Sequence, residues 1–215
     1  MDGSSYLRPY RSGSAEITEK RSRFLARVEP VESESEALAF LDGLRRSERD
    51  ATHHVYVYGL RDGALRYSDD GEPHGSSAMP VLTVFRGAGV TDFCCVVTRW
   101  FGGTLLGVGG LQRAYSAAAA AALRAAGTAE VRLWTRLGFT APYSFYDRLC
   151  RCIEDCGASA ADSEFTDRVR VTALVPAGGE AELLERVRDM SAGGVLAETL
   201  GTALLPRLLL APGEP

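Results

Sequence analysis

The stretch FCCVVTRWFGGTLLGVGGLQRAYSAAAAAALRAAG, residues 93–127, decides the fold. It opens on a continuous apolar run, Phe93-Cys94-Cys95-Val96-Val97, which reads as a strand buried on both faces. A glycine-rich link follows, FGGTLLGVGG (101–110). LQRAYSAAAAAALRAAG then reads as a helix, rich in the best helix former, with Gly127 as its stop. Ala117 to Ala122 are six consecutive alanines, small enough to let that helix lie close on a sheet.

Upstream, ATHHVYVYGL (51–60) alternates as a strand, with His53, Val55 and Val57 on one face and His54, Tyr56 and Tyr58 on the other. Arg61-Asp62-Gly63 is a turn, so ALRYS returns as a hairpin partner. The polar loop SDDGEPHGSS (68–77) leads into a short helix over 78–85, ended by Arg86-Gly87-Ala88-Gly89. Further back, Ser33 and Glu36 form a capping box for a helix carrying Leu38, Leu41 and Leu44. Residues 15–31 read as one extended segment ended by Pro30, and residues 1–14, rich in Ser, Gly and Arg, as a flexible arm. Downstream of Thr128 the pattern restarts: strand 131–140, helix 142–156, strands 158–164 and 167–175, helix 180–190, strand 195–205, then a loose tail. The order β-α-β-β-α-β matches a ferredoxin-like domain. The expected division is an arm at 1–14, a first domain at 15–130 and a second at 131–210, all α+β.

The 215 residues suffice for two small domains, and 46% hydrophobic with 24% charged residues is ordinary for a globular chain. A net charge of −4 argues against a basic coat for non-specific nucleic-acid binding, so any such contact rests on a few placed arginines. The five cysteines are odd in number and two are adjacent, which is not a disulfide framework. MDGSSYLRPYRSGS has no apolar core for a signal peptide, and no stretch has the roughly 20 apolar residues of a membrane helix. A reducing cytoplasm, with no membrane partner, is the expected setting.

Gly102, Gly103, Gly107, Gly109 and Gly110 lie between a strand and a helix start, flanked by Arg99 and Arg113. Free N–H groups, a helix dipole and two guanidinium groups suit an anion, phosphate or carboxylate; equally, the glycines serve a tight turn and close packing. No Gly-Lys-Ser/Thr follows, so the link is not a Walker loop. Asp69, Asp70 and Glu72 admit three readings: pairing with Arg99 or Arg113, a metal or general-base site, or a solvated turn. His53 and His54 point to opposite faces of a strand and so do not share a metal; they read as hydrogen-bonded sheet histidines, with one of them joining a site with His74 as the alternative. The stripe His54, Tyr56, Tyr58 either stacks bases or packs under a helix. Cys152 and Cys156 are four apart on a helix, but no histidine lies in the second half to complete a zinc site. No metal, no cofactor and no Ser-His-Asp or Cys-His arrangement is expected; a catalytic residue cannot be named.

KRSRFLA (20–26), ATHHVYVY (51–58), SDDGEP (68–73) and GVTDFCCVVTRWFGGTLLGVGGLQRAYS (89–116) together resemble the YigZ/IMPACT family. The resemblance implies a ribosomal protein S5 domain 2-like first domain and a second domain similar to the last domain of elongation factor G. It further implies a translation-associated regulator, since eukaryotic members compete for the activator of a kinase that targets initiation factor 2. The expected partners are RNA, the ribosome or a translation factor, bound through the arginine-flanked glycine loop. The alternatives are an enzyme acting on a small phosphorylated or carboxylated substrate, and a protein–protein module. Oligomeric state is not legible. Three positions depart from the family pattern: His74 stands where a small residue is usual, Trp100 replaces a Tyr, and Ala78-Met79 replaces a Gly-basic pair, which removes a positive charge from a phosphate site.

Overall fold

Alternating burial along the strands builds the first sheet. In the computed structural model, which describes residues 5–210, the chain divides into two units whose bodies are Tyr6–Glu130 and Val131–Leu205. The first contains β1 (Tyr6–Pro9), β2 (Gly13–Glu19), β3 (Ser22–Pro30), α1 (Glu34–Ser47), β4 (His53–Gly59), β5 (Leu65–Ser68), α2 (Ala78–Gly87), β6 (Phe93–Trp100) and α3 (Gly107–Ala126). Its sheet runs β2-β3-β6-β4-β5. All neighbours are antiparallel.

Both faces of this sheet are covered, which is why β6 is apolar from Phe93 to Val97. Phe24, Ala26, Val28, Val55, Val57, Cys95 and Val97 pack on one face against α2 and α3. Tyr56, Tyr58, Cys94 and Val96 pack on the other against Ala37 and Leu41 of α1. The two tyrosines therefore lie under a helix and are closed to stacking by bases. Ala118, Ala119, Ala122 and Ala126 are fully buried. Their small size brings α3 down onto β2: a Cβ at Gly13 would fall 2.4 Å from the Ala126 nitrogen.

Local chemistry sets most boundaries. Ser33 accepts from the Glu36 N–H, and Glu36 reaches back to the Glu32 N–H, one residue earlier than in an ideal capping box. Three segments of the first unit differ from the sequence reading. The extended segment 15–31 is a hairpin, β2 and β3, turning at Lys20 (φ 44°) and Arg21 (φ 70°). Both turn residues take the left-handed conformation of a two-residue hairpin turn without Gly, Asn or Asp to announce it. The arm expected at 1–14 lies outside the described residues at 1–4. Within it Tyr6–Pro9 is a strand instead of loose chain, because Leu7 joins the core and bridges Val90, and Arg61 stacks on Tyr6; residues 13 and 14 open β2. The last part of the glycine link is helical: α3 begins at Gly107, not Leu111.

The second unit runs β7 (Thr128–Ala141), a 3-10 turn (Tyr143–Phe145), α4 (Tyr146–Asp155), β8 (Ser159–Phe165), β9 (Val169–Pro176), α5 (Glu180–Ser191) and β10 (Leu196–Leu210). Strands neighbour in the order β8-β9-β7, with β10 on β7. The first and third strands thus lie at the centre, as in a ferredoxin-like sheet. Leu137, Phe139, Val171 and Val175 meet Leu149, Ile153, Leu183 and Val187 from the helices in a separate core. β10 runs past the strand end expected at 205 and takes in 208–210 of the tail LLLAPGEP, whose end at 211–215 lies outside the described residues. No helix among the described residues is long and apolar enough to cross a membrane.

Candidate functional site

Strand periodicity places the charges. Val55 and Val57 of β4, and Cys95 and Val97 of β6, face the core beneath α2 and α3. By the period of two, His53 and Arg99 share that face, and they stand opposite each other in the ladder. Arg99 is therefore carried inside, 5% exposed, at the end of an apolar sheet. A guanidinium there needs a counter-charge. Glu72 supplies it from the 68–77 loop: Arg99 Nη1 donates to Glu72 Oε1 at 2.6 Å, and Arg99 Nη2 donates to Ser22 Oγ at 3.3 Å. The Tyr115 hydroxyl, from the buried face of α3, donates to the same Glu72 oxygen at 2.7 Å. Burial first, then the Glu72 charge and that hydrogen bond, push the Tyr115 hydroxyl well above the usual tyrosine range. His53 Nδ1 donates to the Asp70 carbonyl at 2.7 Å, and its Nε2 lies 3.9 Å from Glu72, beyond hydrogen-bonding distance.

The other two loop carboxylates do structural work. Asp69 accepts from the Gly75, Ser77 and Ala78 N–H groups and from the Ser77 hydroxyl, capping α2. Burial is the largest single influence and raises its pKa; the four hydrogen bonds together outweigh it and hold the carboxyl below its ordinary value. Asp70, at φ 45°, accepts from the His54 N–H at 2.7 Å and from Arg45 at 3.4 Å.

A cleft of about 430 Å³ opens beside the Glu72–Arg99 pair. Its walls are mostly apolar, with Pro73, Phe101, Leu105, Leu106, Val108 and Leu111 beside His53 and Gly107. Leu105 is 83% exposed, Val108 53% and Phe101 45%, so the mouth is a ring of uncovered apolar side chains.

The structure thus divides the residues singled out from the sequence. Arg99, Glu72 and Gly107 meet at the cleft. Arg113 does not line it: with α3 starting at Gly107, Arg113 falls in the second turn instead of the first, exposed. Its Nη1 would lie 3.5 Å from a Cβ at Gly109. Gly102 is a close-approach position, where a Cβ would fall 2.1 Å from the Arg21 carbonyl carbon. Gly103 (φ 82°) serves the turn, and Gly109 and Gly110 belong to the first helical turn. His74 is fully exposed near Asp69, apart from His53, and buried His54 meets Thr98 on the opposite sheet face. Among the described residues no three His, Cys, Asp or Glu side chains gather to hold a metal. The Cys94 thiol is pushed up to about 12 by burial and then by Glu29, and Cys95 is raised by burial, so neither is a ready nucleophile. Sequence reasoning missed Tyr115 and Ser22 as partners of the pair. The signal was present for Tyr115: it shares a helical stripe with Leu111, Ala114 and Ala118, and a buried hydroxyl seeks an acceptor.

Comparison with known proteins follows the same division. Residues 20–123 match the Impact N-terminal domain, and residues 139–193 match a domain of unknown function, DUF1949. An IMPACT family member encoded in the pol 5′ region of Thermus thermophilus is 39% identical over 181 residues, 83% of this chain and 98% of that relative. The chain belongs to the IMPACT family. The family member YigZ of Escherichia coli is 32% identical over 180 residues, 82% of this chain and 88% of that one. A crystal structure described as that of a hypothetical protein superposes with a TM-score of 0.59 at 29% identity, over 90% of this chain and 96% of the other. The Impact N-terminal match spans both the acidic loop and the start of α3, so the whole cleft lies inside the IMPACT-defining segment.

Proposed function

We propose that this IMPACT protein is a translation-associated regulator that acts by binding, and that its first domain docks a protein component of the translation apparatus on the cleft beside α3. The observation that carries this reading is the exposed apolar mouth formed by Phe101, Leu105 and Val108. Uncovered apolar side chains gathered at a concave surface mark protein interaction sites. RNA docking through the glycine loop is less well supported, because it calls on two free arginines and Arg99 is held by Glu72. A reacting group is also lacking support: Glu72 is engaged by two donors, and His53 Nδ1 by a backbone carbonyl.

The test is binding of the full chain to purified ribosomal subunits and translation factors after nuclease treatment. Leu105→Glu is expected to weaken capture at least about tenfold, the scale of an interface anchor, while Arg113→Ala changes it little. Capture that disappears with nuclease, falls steeply with salt and is lost in Arg113→Ala would replace this reading with the RNA one.

A further inference from the structure

We infer that the cleft recognises an extended segment of a partner protein in which an Asp or Glu stands next to a bulky apolar residue. The carboxylate seats at the start of α3 and Arg99, and the apolar side chain fills the space walled by Phe101, Leu105 and Leu111. The inference rests on reading the cleft as a protein-docking site and adds the chemistry of what docks.

Three observations of different kinds converge on it. The first is a buried donor without an acceptor. Arg99 lines the cleft and is 5% exposed, and while Nη1 and Nη2 are engaged, its Nε is buried with no partner among the described residues. A buried polar group left unsatisfied is unfavourable, so a ligand oxygen that reaches Nε once the Phe101 ring, 5.6 Å from the Arg99 Cζ, swings aside gains a bond that the free protein lacks. The second is the start of α3. This 20-residue helix has no side-chain cap and no acidic residue in its first turn. The first-turn N–H groups of a helix have no intrahelical partners and carry the positive end of its dipole. Gly107 and Val108, at that end, are exposed, and Gly107 and Gly109 present no side chain over it. The third is the apolar lining, which suits a side chain and offers nothing to a hydrated ion.

Charge decides which anion fits. The Glu72 carboxylate offsets the Arg99 guanidinium 2.6 Å away. Within the cleft, which Arg113 does not line, what remains for a ligand is roughly half a positive charge from the helix end. One carboxylate matches that residue of charge. A phosphate near two negative charges would sit close to Glu72 in an apolar setting and be repelled.

The experiment titrates the isotopically labelled full chain with an acetylated eight-residue peptide holding Asp-Leu-Phe in a Ser/Gly background. The expected result is a shift of the Arg99 Nε–H signal and of the Gly107, Val108 and Gly109 amides. The Asp→Asn and Leu→Ala peptides should bind about tenfold more weakly, the range of one charge–dipole contact with a charge-assisted bond and of one buried apolar side chain. Gly109→Glu in an Arg113→Gln background, which removes the guanidinium that lies 3.5 Å from a Cβ at Gly109, places a competing carboxylate in the first turn of α3. It should weaken the Asp peptide about tenfold, bring no loss of melting temperature, and leave the Asn peptide nearly unaffected. This variant avoids the core, so its result does not depend on tolerance of a change at Arg99. Equal binding of the Asp and Asn peptides, or shifts confined to other surfaces, would overturn the inference. So would octanoate binding as tightly as the peptide, which would assign the cleft to a small amphiphilic carboxylate. If no peptide binds yet Leu105-dependent capture of a purified translation component persists, the acidic–apolar motif is wrong and the docking reading stands. Loss of both removes the docking reading as well.

Discussion

Glu72 accepts two hydrogen bonds on a single oxygen in a nearly dry setting, and this makes it the most consequential side chain of the first domain. Its removal leaves the Arg99 guanidinium buried without a counter-charge. Glu72→Ala is therefore expected to destabilise the protein by about 3–5 kcal/mol. Tyr115→Phe deletes one bond to the same oxygen and should cost only about 2 kcal/mol. Urea unfolding measures both; equal costs would mean that water reaches the guanidinium. The residues of this network were visible in the sequence as types, an acidic loop and an arginine before a glycine run. Which of Asp69, Asp70 and Glu72 met the arginine was not, because the three differ only in reach and direction. The loop turns at Asp70 and Gly71, both at positive φ, and that reversal sends Asp69 to α2 and Glu72 to Arg99.

At the scale of elements, one carboxylate sets where α2 begins. Asp69 satisfies three N–H groups around Gly75–Ala78, so Asp69→Ala is expected to cost about 2 kcal/mol, the upper range for a lost cap. Its pH dependence follows from the sign of the shift. The folded carboxyl lies below its ordinary value, so its stabilisation is complete at neutral pH, above the unfolded pKa. It is lost as the pH falls through the folded value. Thermal melts between neutrality and pH 3 should show the wild type losing stability faster than Asp69→Asn, whose neutral amide has no proton to take up; parallel curves would refute the assignment. Strands β4 and β6 and the alanine helix were legible from periodicity and propensity alone. The β2–β3 turn was not, since Lys20 and Arg21 carry no turn signal and are held at positive φ by the pairing of the strands on either side. The start of α3 was hidden for the opposite reason. Four residues that include three glycines read as a loop, yet Val108 and Leu111 facing the cleft and the packed alanines beyond them carry the helix back to Gly107.

At the scale of the molecule, each unit closes its own apolar core, one on both faces of the first sheet and one beneath α4 and α5. Leu149 is fully buried in the second core. Leu149→Ala is expected to destabilise that unit by about 2–5 kcal/mol, while amide-exchange protection of β4 and β6 in the first unit stays as in the wild type. Loss of protection in both units would show that they unfold as one. The amino-acid sequence by itself determined the two-domain α+β plan, the order of elements in the second domain and the family, because periodicity, glycine stops and long motifs are local properties of the chain. Only the tertiary structure decided what the segment 93–127 holds in place. It buried Arg99 against Glu72, turned Arg113 out to solvent and left Phe101, Leu105 and Val108 uncovered around a cleft. Those outcomes depend on which strand end meets which loop across more than 20 residues of separation, and a buried charge takes whichever partner the fold brings within reach.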